Sequence, residues 1–291
     1  MTLIRYPTGA YQYNGPVFWT GDFSNVLKDG AICRWLIQYL NSDTDFSKIL
    51  LYIPCSDGDI TIASLNEIII YAENNSSKLV VGTVAQRFQD FSRFLFMPQD
   101  DGIFENGIEY YFPTREVIPW DMRKDCVFWR GACSADYKKG ELLRRDVVEK
   151  LIDYPYADVK LIELWHENKP IPSNYFAPKV SYKNFLKYKY LLIIDGNGIS
   201  SSHSWIFASG AVPVMITNNT FWFKKYLVPF ENYVPIEYNL SDLIEKLDWL
   251  RENPKKAQEI AHNARKFAER VFSSDFQKVY LKEELKRLAQ I

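Results

Sequence analysis

The residues best suited to do chemistry lie between Lys187 and Ile216, KYKYLLIIDGNGISSSHSWIFASGAVPVMI. An apolar run, Tyr190 to Ile194, leads into Asp195, Gly196, Asn197 and Gly198, then Ser200, Ser201, Ser202 and His203. A glycine loop entering a helix presents backbone N–H groups that suit a phosphate. Serine hydroxyls add donors, and a protonated His203 adds a charge-assisted hydrogen bond. The same residues also spell a glycine turn with a serine N-cap before a buried helix, and so short a glycine loop does not separate the two readings. A second segment, Val127 to Ser134 (VFWRGACS), delivers Arg130 and Gly131 to a strand end. A planar guanidinium matches a diphosphate, and a surface salt bridge would use it as well. In a third, Cys55-Ser56-Asp57-Gly58-Asp59 closes the run Ile49 to Pro54. A carboxylate there can take a proton from a hydroxyl nucleophile, though an Asp/Gly-rich turn reads the same way. Asp57-x-Asp59 also has the form of a D-x-D motif that bridges a divalent ion to a diphosphate, with Asp100-Asp101 as a second acidic pair.

Other candidates carry less. His166, His203 and His262 are too dispersed for a metal site, and Cys33, Cys55, Cys126 and Cys133 include no C-x-x-C pair, so the four cysteines read as reduced, mostly buried thiols. Tyr182 to Tyr190 interleaves basic and aromatic residues, but a net charge of -1 lacks the basic excess of a nucleic-acid binder. No window holds the ~20 apolar residues of a membrane span, and the first residues lack a charged-then-apolar signal pattern. A cytoplasmic protein, with no membrane span and no nucleic-acid partner, is the expectation.

The elements that must position these residues follow from periodicity. Ile49 to Pro54, Lys78 to Thr83, Val127 to Trp129, Val159 to Leu164, Tyr190 to Ile194 and Ala211 to Ile216 are continuous apolar runs, as in strands covered on both faces. Helix-period segments alternate with them: Ala31 to Leu40, Leu65 to Tyr71, Glu141 to Leu151, Leu240 to Glu252 (capped by Asn239 or Ser241), a long helix opened by Pro254, and Ser274 to Gln290. The alternation predicts α/β architecture with parallel sheets in both halves. Prolines and charges between Pro113 and Lys124 mark a boundary. The expected units are 1–120, 121–273, and a C-terminal helix 274–291 that packs back on the first.

Taken in order, FWRG, KYLLIIDGNGISSS, SGAVPV, FWFKKYLVPFENYVPI, LSDLIEKLDWLRENP and AQEIAHNARKFAERVF resemble glycosyltransferase family 90. That family holds the Rumi-like protein O-glucosyltransferases and fungal capsule xylosyltransferases. The resemblance runs from about Ile49 to Phe272. It implies a GT-B-like fold of two Rossmann-like lobes with a donor cleft between them, and inverting transfer of xylose or glucose from UDP-xylose or UDP-glucose to a hydroxyl of a glycan or glycoprotein, with no metal or other cofactor. It places Arg130 and Gly131 on the family's R-G motif near the diphosphate, Gly196 and Ser200 on the donor loop, and Asp57 on the catalytic base, with Asp59 and Asp22 as fallbacks. Asp195, Gly198, Ser201, Ser202 and His203 complete the expected donor site. Relatives carry a second arginine where this chain has Ser202, and the adjacent His203 is the expected substitute. The absence of that arginine keeps a noncatalytic nucleotide-sugar or glycan binder as an alternative, beside a metal-dependent transferase using Asp57 and Asp59. The small size suits a microbe or a large virus building its own glycans, such as a chlorovirus-type capsid-glycan xylosyltransferase acting in host cytoplasm.

Overall fold

The computed structural model describes residues 4–5, 10–13, 17–20, 31–42, 49–53, 73–74, 78–83, 94–113, 116–133, 143–164, 171–196 and 198–290. The chain divides into two compact units: residues 1–106 with 220–222 and 274–291, and residues 107–219 with 223–273.

The first unit holds a six-stranded sheet in sequential order, β1 (Ile4–Arg5), β2 (Ala10–Tyr13), β3 (Val17–Thr20), β4 (Ile49–Ile53), β5 (Lys78–Thr83) and β6 (Phe94–Phe96). The periodicity predicts parallel strands throughout, but this sheet is mixed. Its β1–β2 and β2–β3 pairs are antiparallel, and only β3 to β6 run parallel. The reason is chain length. The connections before and after β2 are a few residues long, whereas a parallel crossover needs a dozen or more. Asp100 and Asp101, the second acidic pair, act here as helix caps. The Asp101 carboxylate accepts from the Ile32 N–H at 2.9 Å, at the start of α1 (Ala31–Ser42), and Asp100 accepts from the Ile103 N–H at 3.0 Å in α2 (Asp101–Asn106). The C-terminal helix, Ser274–Gln290, belongs to this unit, with the Tyr280 hydroxyl donating to the Phe96 carbonyl at 2.9 Å.

The second unit is a five-stranded, wholly parallel sheet in the order β11-β10-β9-β7-β8. Its strands are β7 (Lys124–Cys133), β8 (Ala157–Leu164), β9 (Tyr188–Ile194), β10 (Val212–Ile216) and β11 (Val234–Ile236). Its helices are α3 (Leu143–Leu151), α4 (His203–Ala208), α5 (Leu243–Glu252) and α6 (Pro254–Val271). α4 packs on β9 and β10 and α6 on β10, whereas α3 packs on β7 and β8 and α5 on β11; the residues of β9 and β10 are almost all buried.

Boundaries differ from the periodic reading where backbone geometry overrides side-chain pattern. β7 extends on both sides of its apolar centre, because ladder hydrogen bonds are indifferent to Lys124 and Asp125 at the exposed end. α4 is short. It ends where Gly210 takes φ 75° and the buried Arg123 donates to the Ser209 carbonyl at 2.6 Å. α5 begins only at Leu243. Leu240 turns the chain with φ 61°, while the Asn239 side chain accepts from the Ser241 N–H and Asp242 from the Glu237 N–H. The expected helix at Leu65 to Tyr71 lies outside the described residues.

Candidate functional site

Strand order reverses between β7 and β9. The chain leaves β7 for β8 on one side and returns as β9 on the other. In an open parallel sheet this is where a crevice forms beyond the carboxyl ends. The β7–β9 ladder stops at Phe128↔Leu191, although β7 continues to Cys133 and β9 to Ile194. The diverging ends are bridged by Arg144, from the first turn of α3. Its Nη1 donates to the Ala132 carbonyl at 3.1 Å, its Nη2 to Ile194 at 3.1 Å, and its Nε to Asp195 at 3.2 Å. The guanidinium also lies 5.7 Å from the Trp129 ring centroid. Withdrawal from water pulls its pKa down to about 10, against the Asp195 carboxylate, which raises it.

Asp195 turns inward. Its Oδ2 accepts from the Asn218 N–H at 3.0 Å and from Asn219 Nδ2 at 2.7 Å, tying the end of β9 to the loop after β10. The side chain is 1% exposed, so it braces the site from beneath and does not face a ligand. The Asn219 carbonyl accepts from Lys224 Nζ at 2.8 Å. Burial lowers the Lys224 pKa, and the Asp195 carboxylate opposes that shift. Asp195 therefore sits within electrostatic reach of two cations, Arg144 and Lys224.

The loop itself is a tight turn. The Gly196 N–H donates to the Gly198 carbonyl at 2.9 Å, so it is directed into the loop. Ser200 is buried, and its hydroxyl pairs with that of Ser202 at 2.7 Å. Ser202 does not cap α4 with its side chain, so the serine N-cap is absent. Ser201 is exposed, and Gly198 and Ser202 are half-buried. His203 is buried: Nδ1–H donates to the Ser200 carbonyl at 2.6 Å, and the ring stacks on Phe223 with centroids 4.9 Å apart. Phe207, Phe267 and Phe272 complete an aromatic cluster beneath it. His203 thus shapes the turn from below, which is a different role from the surface cation expected of it.

Arg130 folds back along its own strand. Its guanidinium pairs with Asp158, donates to the Trp129 and Asp158 carbonyls at 2.9 and 2.8 Å, and lies 4.6 Å from the Phe128 centroid. Asp158 is the register partner of Phe128, two residues earlier in β7, so the guanidinium points toward the amino end of the sheet. Gly131 is required by packing, since a Cβ there would run into the Trp129 ring. Asp57, Asp59, Asp22 and His166 lie outside the described residues. Sequence reasoning missed Arg144, Asn219 and Lys224. Lys224 stands in the quoted FWFKKY stretch, whereas Arg144 grips the main-chain oxygens of Ala132, Ile194 and Asp195, which leave no pattern in side-chain types to read. Among the described residues no group of three or more His, Cys, Asp or Glu is placed to hold a metal ion, and no helix is long and apolar enough to cross a membrane.

Comparison with known proteins adds to this geometry. The profile of the family described as Glycosyl transferase family 90 matches residues 113–291. The chain is 39% identical over 110 residues to the uncharacterized protein 179R of Invertebrate iridescent virus 6, covering 34% of this chain and 9% of that one. It is 27% identical over 160 residues to the O-glucosyltransferase LpsA of Dichelobacter nodosus (54% of this chain, 46% of that one), and 26% identical over 150 residues to Protein O-glucosyltransferase 1 of Rattus norvegicus (51% and 38%). The chain thus spans less than half the length of each of these relatives. Among solved structures, HepE of Anabaena in complex with UDP-glucose superposes with a TM-score of 0.51 at 10% identity, covering 95% of this chain and 79% of that one. Sucrose-phosphate synthase of Thermosynechococcus elongatus gives 0.50 at 11% identity, covering 94% and 73%. At such identity the likeness is one of fold: α/β, of the GT-B kind.

Proposed function

The chain belongs to glycosyl transferase family 90, and from that premise we propose that it transfers a sugar, xylose or glucose, from a UDP-sugar to a hydroxyl of a glycan or glycoprotein. The observation that carries this reading is the strand-order reversal between β7 and β9, with the Asp195–His203 loop at its mouth and Arg144 and Lys224 around Asp195. A dianionic diphosphate is the ligand such an edge suits. The loop offers it the Ser201 hydroxyl and the half-buried Gly198 and Ser202. Relatives named O-glucosyltransferase favour a hydroxyl acceptor.

The reaction we propose is a single inverting displacement without metal. The acceptor oxygen attacks the anomeric carbon as the bond from that carbon to the diphosphate breaks, and the electron pair leaves with UDP. The acceptor proton passes to the Asp57 carboxylate, the base that the family resemblance assigns. Charge growing on the leaving diphosphate is met by the field of Arg144 and Lys224 and by the Ser201 hydroxyl. Arg130 joins them only if it leaves Asp158.

The test is turnover of UDP-xylose and UDP-glucose, with a hydroxyl acceptor or water, in EDTA. Transfer should persist, and Asp57→Asn should lower kcat by about 100-fold or more with UDP affinity unchanged. Loss of activity in EDTA restored by manganese would overturn the metal-free mechanism. Wild-type turnover by Asp57→Asn would remove Asp57 as the base.

A further inference from the structure

We infer that Arg144 is a positioning residue that fixes the opening between the ends of β7 and β9, and through it the placement of the donor loop. The inference rests on the reading of that edge as a nucleotide-diphosphate site. Past Phe128↔Leu191 the two strands no longer exchange ladder hydrogen bonds. Carrying the register forward sets Ala132 opposite Asp195, and these are two of the residues whose carbonyls Arg144 holds. One planar guanidinium replaces the missing rungs: Nη1 faces β7, while Nη2 and Nε face β9.

Backbone carbonyls at a strand end, withdrawn from water, must be satisfied. Here a single fork satisfies both strands, so the distance between them follows the fixed span of the guanidinium. Asp195 is held twice over, its carbonyl by Arg144 and its carboxylate by Asn218 and Asn219. The loop beginning at Gly196 therefore starts from a braced point. A lysine keeps the charge but cannot reach both strands at once. Arg144→Lys should leave the charge in place and relax the spacing.

The experiment compares wild type, Arg144→Lys and, as a control on the exposed end of the same helix, Lys150→Gln. Three readouts are taken: UDP affinity by calorimetry, KM and kcat for the UDP-sugar, and amide hydrogen exchange of residues 192–203. In Arg144→Lys, Kd for UDP and KM should rise together by about 10- to 100-fold. The value of kcat at saturating donor should stay within about threefold, and exchange should quicken across residues 192–203 but not in β8. Lys150→Gln should match wild type. Unchanged exchange and unchanged Kd in a folded Arg144→Lys overturns the inference. A parallel fall in kcat, with exchange faster throughout the unit, means a merely structural role and overturns it too. Should Arg144→Lys not fold, the Arg144 Nε resonance of the wild-type protein decides: it should shift on saturation with UDP, and an unmoved signal contradicts the inference. If wild type binds no UDP, the diphosphate reading fails by itself, and the exchange comparison still decides whether Arg144 sets the spacing.

Discussion

Two of the residues that looked most like ligands from their type are committed to the protein itself. Arg130 is tied to Asp158, with side chains 10% and 37% exposed, and rests on Phe128. Arg130→Ala should therefore cost about 1.5–3 kcal/mol of stability, the range for hydrogen bonds to a charged partner, with little change in UDP affinity. Chemical denaturation and calorimetry measure the two. An intact stability with UDP affinity lost would return Arg130 to the diphosphate. His203 is the second case. His203→Phe keeps a ring against Phe223 and removes the Nδ1–H bond to Ser200, at a cost of about 1 kcal/mol. His203→Ala opens a cavity among aromatic rings and should cost about 3 kcal/mol or more. Wild-type denaturation midpoints for both would contradict the buried role. Type and spacing placed the loop at the carboxyl end of β9, but they could not tell which side chains face outward. That depends on partners such as Asp158, Asn219 and the Ser200 carbonyl, which the fold alone brings near.

Among the elements, β9, β10 and the centre of β7 were legible because burial on both faces writes an unbroken apolar run, whereas the edge strand β8 alternates buried Val159 and Leu161 with Asp158 and Lys160. The N-terminal hairpin strands, β6 and β11 were not. Strands of two to four residues are too short for a period to show. Helix α4 was legible in place but not in length, because its end is set by Gly210 and Arg123. Gly210 has φ 75°, and a Cβ there would meet Arg123 Nη2 and Val117 Cγ1 at 3.1 Å. Gly210→Ala should destabilise by about 1–2 kcal/mol from the left-handed backbone alone, seen as a lower Tm. An unchanged Tm would mean that the α4 terminus relaxes freely, and that the loop ahead of it is held by less than the geometry suggests.

For the molecule as a whole, sequence pattern and fold agree on α/β units, and the profile of family 90 runs from residue 113 to residue 291. The N-terminal unit was the harder to read, since the family's quoted motifs concentrate from Val127 onward. The account's central claim is that the carboxyl edge of the second sheet, between β7 and β9, holds the donor's diphosphate. The most direct measurement is hydrogen exchange of the wild-type protein with and without saturating UDP. Slower exchange confined to residues 194–204 and 217–224 is the predicted result. No protection there, or protection only at the amino edge around Arg130 and Asp158, would contradict it.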